Sequence, residues 1–209
     1  MSGGATARDE IMRRIHGALG AGVAVPDVPR GYRGPRIDDS AVDRFCERVA
    51  EYRATVTRVA ADELADTVAR LCRERGASRI AVPPGGPGVL TGVEVVVDDP
   101  PLSPQALDEL DGVLTGCALA IAETGTIVLD GAPRSGRRAL TLVPDWHMCI
   151  VEAGSVVAGV PDAVAVLREA AEAGRPITLV SGPSATSDIE LDRVEGVHGP
   201  RTLDVLVLE

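Results

Sequence analysis

Aromatic residues are scarce in this 209-residue chain, which has one Trp, two Tyr and one Phe. Proteins that bind single-stranded nucleic acid stack bases on aromatic side chains, so this composition argues against that class. Hydrophobic residues nevertheless make up 45% of the chain. We therefore expect a core of Val, Leu, Ile and Ala, in one large domain or one domain with an arm, that buries about 70% of the unfolded surface.

Positive charge is also in short supply. Acidic residues outnumber Lys and Arg by 31 to 21, which gives a net charge of −10. A chain with this charge repels phosphate backbones, so nucleic acid is not expected as a partner. The sequence has no apolar run near the roughly 20 residues that span a bilayer, and its polar N-terminus has no signal-peptide core. These features predict a cytoplasmic protein without a membrane span.

The chain lacks the spacings that metal and nucleotide cofactors require. None of the cysteines forms a CxxC pair, so neither a zinc ribbon nor a ferredoxin-type cluster is predicted. The three histidines show no metal-ligand spacing, and no GxGxxG motif follows the first strand, so no nicotinamide cofactor is expected. Isolated cysteines in such a chain are usually small buried hydrophobes, and we expect this of Cys46, Cys72, Cys117 and Cys149.

An N-terminal arm precedes the main body of the sequence. Apolar side chains recur every four residues from Ile11 to Leu19 and predict an amphipathic helix. The following stretch is rich in Gly, Pro and Arg and predicts a linker. We therefore divide the chain into a helix and linker over residues 1–36 and an α/β domain over residues 37–209. The helix could pack on its own body or on a neighbouring subunit, so a homo-oligomer stays open.

Alternating helix and strand patterns beyond Ser40 predict a three-layer α/β/α sandwich with a largely parallel sheet. The β-branched run over residues 93–97 is typical of a buried parallel strand. Central strands that cluster in sequence indicate an antiparallel insertion or edge. Further elements predicted in the second half are a strand over 139–143, one helix over 161–173 and a short helix over 187–191.

The first candidate site follows the apolar run over residues 117–122. Glu123 ends this run, where partial burial would suit a general acid, a general base or a nucleophile. Gly125 would let a substrate approach the backbone, and the hydroxyls of Thr124 and Thr126 would bind it. The alternative is a simple hairpin corner, with the carboxylate in solvent or paired with an arginine.

The second candidate site follows the strand that ends at Val180. Ser181, Gly182 and Ser184 lead into a predicted helix, and backbone N–H groups at a helix N-terminus bind phosphate, carboxylate or a CoA pyrophosphate. The segment is not a Walker loop, because no Gly-Lys-Ser/Thr follows. The alternative is a capped turn, in which the side chains of the turn satisfy the helix donors.

Two histidines and an arginine complete the candidate residues. His147 lies at a proline-containing corner and could form an acid–base pair with Glu123. His198 lies between glycines that would expose its imidazole, and Arg201 could bind a carboxylate through two nitrogens. The alternative for each residue is a structural role in a loop. The basic segment over residues 134–138 would steer an anionic substrate or form a solvated hairpin tip.

Three of these segments together resemble the LUD-domain family. Residues 120–129 (AIAETGTIVL) are similar to its central motif, and residues 142–147 (LVPDWH) to its proline-to-histidine segment. Residues 181–190 and 196–201 resemble its C-terminal motif. The N-terminal helix and linker are also similar to members of this family.

The resemblance implies a fold similar to the sugar-phosphate isomerase and CoA-transferase group. It also implies a role in oxidising L-lactate to pyruvate together with iron–sulfur partner proteins, with no cofactor on this chain. In that role the chain would contribute a site for a small carboxylate or other anion. One alternative is a stand-alone enzyme that uses Glu123 on a phosphorylated or CoA-linked anion, as the Glu-x-Gly of CoA transferases suggests. The other is a non-catalytic assembly or regulatory protein.

Overall fold

The computed structural model describes residues 6–20, 26–29, 31, 39–183 and 199–209. The chain forms two compact units, Met1–Tyr32 and Arg33–Glu209. The smaller unit holds the helix α1 (Ala7–Leu19). A capping box begins this helix, because the Thr6 hydroxyl accepts a hydrogen bond from the Asp9 backbone N–H and the Asp9 carboxylate accepts one from the Thr6 backbone N–H.

Helices and strands alternate along the larger unit. In chain order they are α2 (Ala41–Glu51), β1 (Thr55–Val59), α3 (Leu64–Arg75), β2 (Arg79–Val82), β3 (Glu94–Val97), α4 (Pro104–Asp108), β4 (Gly112–Gly116), β5 (Leu119–Ile121), β6 (Thr126–Leu129), α5 (Arg138–Leu142), β7 (Trp146–Glu152), β8 (Val156–Val157), α6 (Val160–Val166), α7 (Arg168–Glu172), β9 (Thr178–Val180) and β10 (Thr202–Leu208). None of the helices in the described ranges is long and apolar enough to cross a bilayer.

A six-stranded parallel sheet forms the centre of this unit. Its strand order is β1-β10-β7-β4-β2-β3, and every pair in it is parallel. The inner strands β7 and β10 are almost continuously apolar because both faces of the sheet are covered there. Helix α3 packs on one face. The predicted α/β sandwich with a mainly parallel sheet is confirmed. The expected burial of the strand over 93–97 is wrong, because β3 is the edge strand and most of its side chains are exposed.

A second, four-stranded sheet covers the other face. Its order is β8-β5-β6-β9, with antiparallel pairs between β5 and β6 and between β6 and β9. These are the clustered central strands that indicated an antiparallel insertion. Phe45 and Val49 of α2 share a buried core with Ile127 of this sheet and with Cys149 and Val205 of the large sheet. The second sheet and α2 are therefore tied to the large sheet by one hydrophobic layer.

Two predictions about the second half were wrong in detail. The predicted strand over 139–143 is instead the helix α5 for most of its length. Leu140 on this helix is buried against Leu107 of α4, a contact between distant segments that local patterning does not reveal. The single helix predicted over 161–173 is divided into α6 and α7 at Leu167. The short helix predicted over 187–191 lies outside the described residues.

Strand β4 was not predicted, because glycines at both ends of a five-residue segment are more typical of turns. The structure gives a reason for one of them. A Cβ placed on Gly112 would lie 2.8 Å from the ring of Trp146. The neighbouring strand β7 therefore brings an indole against the β4 backbone, and a glycine is needed to accept it.

A buried polar group joins α3 to the start of β7 and β10. The indole N–H of Trp146 donates to Asp204 Oδ2 at 2.6 Å, and Arg75 donates to the same oxygen at 3.0 Å. The guanidinium of Arg75 also lies 4.8 Å from the centre of the Trp146 ring. Because Asp204 is almost fully buried, these partners compensate the desolvation of its carboxylate. The contacts hold the amino ends of both strands in register.

Candidate functional site

The structure brings together three hydroxyl side chains from the two predicted substrate-binding segments. Thr126 Oγ1 lies 2.7 Å from Thr124 Oγ1 and 2.7 Å from Ser181 Oγ. The pairing of Ile127 with Val180 causes this meeting, because it sets the start of β6 beside the end of β9. We call Thr124, Thr126 and Ser181 the hydroxyl cluster. Segments 55 residues apart in the chain thus supply one local group.

The hydroxyl cluster has hydrogen-bonding capacity to spare. Each hydroxyl carries one O–H donor and two acceptor lone pairs. The two contacts within the cluster use two of the three donors. When Thr124 and Ser181 both donate to Thr126, the Thr126 hydroxyl is left to donate to the Thr124 backbone carbonyl, which lies 3.5 Å from Thr126 Oγ1, or to an oxygen of a ligand. The cluster is partly buried, so such a hydrogen bond would be made in a partly desolvated setting.

Two glycines in the same loops pack against the last turn of α2. Gly125 has φ +59° and Gly182 has φ +83°, a region that favours glycine. A Cβ on Gly125 would lie 2.7 Å from the carbonyl carbon of Arg48, and a Cβ on Gly182 would lie 2.8 Å from Cβ of Tyr52. The last turn of α2 therefore borders the hydroxyl cluster. Sequence reasoning missed Arg48 and Tyr52, because no local pattern tells which helix the two glycines approach.

Glu123 lies at the corner between β5 and β6, and its side chain is exposed. Its backbone N–H donates to the Ala158 carbonyl at 3.1 Å, which fixes the corner against the segment after β8. The partial burial expected from the sequence is not observed, because the chain turns outward where β5 ends. Its neighbour Thr124 belongs to the hydroxyl cluster, so the carboxylate adjoins that group. A catalytic role for Glu123 stays a prediction.

His147 is buried within β7 and does not lie in the corner that precedes the strand. Its Nε2 atom is 2.8 Å from Thr115 Oγ1 on β4. His147 pairs in register with Val113 and Leu203, so strands lie on both sides of it. The hydrogen bond to Thr115 fits the alternative in which His147 has a structural role. An acid–base role for His147 stays a prediction.

Cys149 is hydrogen-bonded to His147 and to the thiol of Cys117, and both cysteines are buried. Three of the four cysteines are buried and Cys46 is partly buried, as expected. A hydrogen bond from Cys117, and then the His147 imidazole and the Thr115 hydroxyl, lower the pKa of Cys149 to about 5, although burial opposes the charge. The hydrogen bond to Cys149 and burial raise the pKa of Cys117 well above its ordinary value. The Cys117 thiol therefore keeps its proton and donates it toward the Cys149 sulfur, which is the more acidic of the two.

This thiol pair predicts a spectroscopic titration. The thiolate absorbance of the native chain near 240 nm should rise with a midpoint at about pH 5, because that is the pKa of Cys149. The step should be lost in Cys149→Ala and kept in Cys72→Ala, since burial raises the pKa of Cys72. A native chain whose absorbance stays flat from pH 4 to pH 7 would contradict the assignment.

Arg201 is exposed at the start of β10 and pairs with Asp145 at 2.9 Å. Both side chains are well exposed, so this ion pair contributes little stability and can exchange for another anion. A Cβ on Gly199 would lie 3.4 Å from the Pro183 carbonyl oxygen, so the segment that carries Arg201 adjoins the segment that carries Ser181. The predicted residues Ser184 and His198 lie outside the described residues. Anion binding by Arg201 stays a prediction.

The basic segment 134–138 belongs to a loop that covers the large sheet. In open α/β sheets, ligands commonly bind at the carboxyl ends of the strands where the order reverses, which here lies between β2 and β4. The Pro133 carbonyl accepts from Gly85 N–H after β2, and the Arg134 carbonyl accepts from Gly116 N–H of β4, both at 3.1 Å. This loop therefore lies across the ends of β2 and β4, and its backbone is hydrogen-bonded to both. The segment is not a solvated hairpin tip.

Within the described ranges, no group of three His, Cys, Asp or Glu side chains is arranged to hold a metal ion. The arrangement that remains is the hydroxyl cluster, bordered by two tight glycines and by the last turn of α2. Such a group can donate hydrogen bonds to an anionic oxygen.

Comparison with known proteins gives the relatives of this chain. The LUD domain family model matches residues 102–208. The chain is 43% identical to lactate utilization protein C of Deinococcus radiodurans, over 98% of this chain and 96% of that protein. It is 34% identical to lactate utilization protein C of Geobacillus kaustophilus, over 53% of this chain and 48% of that one. The crystal structure of a DUF162 family protein from Deinococcus radiodurans superposes with a TM-score of 0.72 at 42% identity, covering 81% of this chain and 97% of that one.

Proposed function

The chain belongs to the LUD-domain family, and from that premise we propose that it is a subunit of an L-lactate utilization system. In this system L-lactate is oxidised to pyruvate together with iron–sulfur partner proteins. The observation that carries the proposal is the match, over nearly the whole chain, to a protein named for lactate utilization. The part of the relative that is matched includes the arm as well as the body.

The proposal gives this chain an anion-binding role and leaves electron transfer to its partners. Lactate carries one carboxylate and one hydroxyl, so hydrogen-bond donors and acceptors close together would suit it. The hydroxyl cluster supports this role, because Thr126 can act as donor or acceptor toward both neighbours. The cysteines support the assignment of electron transfer to the partner proteins, since they lack the spacing that holds iron–sulfur clusters.

Reconstitution tests the proposal. The chain would be combined with the iron–sulfur proteins of the same organism's lactate system, and L-lactate-dependent reduction of a dye acceptor would be followed. We expect the rate to depend on the chain and to saturate with it. Partner proteins that oxidise L-lactate equally well without the chain would sink the proposal.

A matched pair of variants tests the site. Thr126→Val keeps the shape of the central residue of the hydroxyl cluster and removes its hydroxyl. We expect it to weaken L-lactate use about tenfold, as for the loss of one hydrogen bond to a charged group. Thr67→Val makes the same change on the half-buried face of α3 and should leave the rate unchanged. Equal rates of L-lactate use for the two variants would show that the hydroxyl cluster does not bind the substrate.

A further inference from the structure

An apolar groove of about 550 Å³ lies between the second sheet and the helices α6 and α7. Its lining is mainly aliphatic and includes Ile121, Val160, Val164, Leu167, Ile177 and Leu179. Val164 and Leu179 are 63% and 62% exposed, although apolar side chains gain free energy when they leave water. Clusters of exposed apolar side chains mark binding surfaces, and the volume lies in the range of small-molecule sites, roughly 300–1,000 Å³.

The face of the second sheet that packs on α6 carries two neighbouring rows of side chains. Cross-strand partners lie on the same face of a sheet, and so do residues two apart along a strand. The first row consists of Leu119, Val128 and Leu179. The next row begins with Ile121, whose cross-strand partner is Thr126, and Thr126 Oγ1 lies 2.7 Å from Ser181 Oγ. The face therefore changes from aliphatic to hydroxyl side chains within one row.

The groove and the hydroxyl cluster are thus neighbours on one face of one sheet. Ile121 lines the groove, and the Cβ atoms of cross-strand partners such as Ile121 and Thr126 lie about 4.5–5.5 Å apart. Leu179 also lines the groove and lies two residues before Ser181, a rise of about 7 Å along an extended chain. A ligand with oxygen atoms at one end and an aliphatic chain at the other can therefore reach both.

We propose that the groove and the hydroxyl cluster form one binding site for L-2-hydroxy carboxylates whose aliphatic chain is longer than the methyl group of lactate. The hydroxyl cluster binds the oxygens at one end of the ligand, and the groove covers its carbon chain. Lactate alone would leave most of the groove in contact with water. This inference rests on the proposed function, which supplies the carboxylate and hydroxyl, and it extends the substrate class of that same site.

A chain-length series tests the shared site. Calorimetric titration of the full chain would compare L-lactate, L-2-hydroxybutyrate, L-2-hydroxyhexanoate and L-2-hydroxyoctanoate. We expect the affinity to rise about two- to fourfold for each added methylene, as burial of a methylene group in an apolar groove predicts. Thr126→Val should weaken every member about tenfold and leave the increment per methylene unchanged, because it alters only the end that binds the oxygens.

Two valines on α6 give a matched pair of variants. Val164 lines the groove, whereas Val166 is similarly exposed, at 60%, but does not line it. Val164→Asn should lower the affinity for L-2-hydroxyoctanoate about three- to tenfold, since a polar side chain then faces the carbon chain. Val166→Asn should bind the whole series as the native chain does. Because both changes place the same residue on one helix, their effects on folding should be equal.

Several results would overturn the inference. Equal affinities along the series would show that the groove does not hold the chain, and an L-2-hydroxyoctanoate affinity unaffected by Thr126→Val would show two separate sites. A native dimer that Val164→Asn turns into a monomer, seen by sedimentation velocity, would show that a second copy covers the groove.

The proposed function is decided separately, by reconstitution with L-lactate. A system that needs the chain, together with a flat series, overturns the substrate class alone. A system that oxidises L-lactate equally well without the chain overturns the proposed function, whatever the series shows. A rising series that depends on both Thr126 and Val164 supports the shared site.

Discussion

Arg137→Met should lower the thermal midpoint by about 6–12 °C. The Arg137 guanidinium donates to both oxygens of Asp98, at 2.7 and 3.0 Å, and to the Leu102 carbonyl at 2.6 Å. The Asp98 side chain is 2% exposed, so losing the arginine leaves a buried carboxylate without its counter-charge. Breaking such a pair costs about 3 kcal/mol or more, and about 2–4 °C is lost per kcal/mol in a chain of this size.

The same loop offers a matched control for that prediction. Arg134 pairs with Glu152 at 2.7 Å, but the Glu152 side chain is 52% exposed. An exposed pair contributes at most about 1 kcal/mol, so Arg134→Met should shift the midpoint by less than about 4 °C. Differential scanning calorimetry measures both variants. Equal shifts would mean that the buried pair does not anchor the loop to the end of β3.

Gly125→Ala should be among the most damaging substitutions near the hydroxyl cluster. The new Cβ would lie 2.7 Å from backbone and side-chain carbons of Arg48 and 2.8 Å from the Val49 nitrogen. It would also sit at φ +59°, which costs about 1–2 kcal/mol by itself. Because α2 must move to relieve the clash, we expect a total loss of about 2–5 kcal/mol and the loss of L-lactate use in the reconstituted system.

Gly174→Ala is the matched control, because it adds the backbone strain of a positive φ without a steric clash. Gly174 has φ +67°, and a Cβ there would meet nothing within 4 Å. Urea unfolding of Gly174→Ala should show only the backbone cost of about 1–2 kcal/mol, with L-lactate use intact. If both alanine variants lose the same stability, contact with α2 does not explain the glycine at position 125.

The segments of the candidate site could be found from the sequence because each lies at the end of an apolar strand. Apolar runs up to Ala122 and Val180 predicted those ends, and the polar residues that follow them, Thr124 and Ser181, meet in the structure. What could not be predicted is the pairing of β6 with β9, because register between distant strands depends on the whole sheet. The contacts of Gly125 and Gly182 with α2 could not be predicted either, because they also join segments that are distant in the sequence.

The incorrect predictions have a common physical cause. Residues 139–143 are short and apolar, and such runs fit a strand or a buried helix equally well. Burial of Leu140 beside Leu107 selects the helix. His147 shows the same effect, since a histidine beside a proline suggested a loop, whereas hydrogen bonding to Thr115 accompanies its burial in a strand. Long-range contacts decided both cases.

The indole that rests on β4 also makes this chain convenient to observe. Trp146 is the sole tryptophan among 209 residues, so intrinsic fluorescence excited at 295 nm comes from a single place in the fold. That place is one residue before His147 and is hydrogen-bonded to Asp204. The emission therefore reports on the amino edge of the large sheet, next to the segment that carries Arg201, without any attached dye. Motion of that edge when L-lactate or a partner binds would be recorded by the protein's own optical signal.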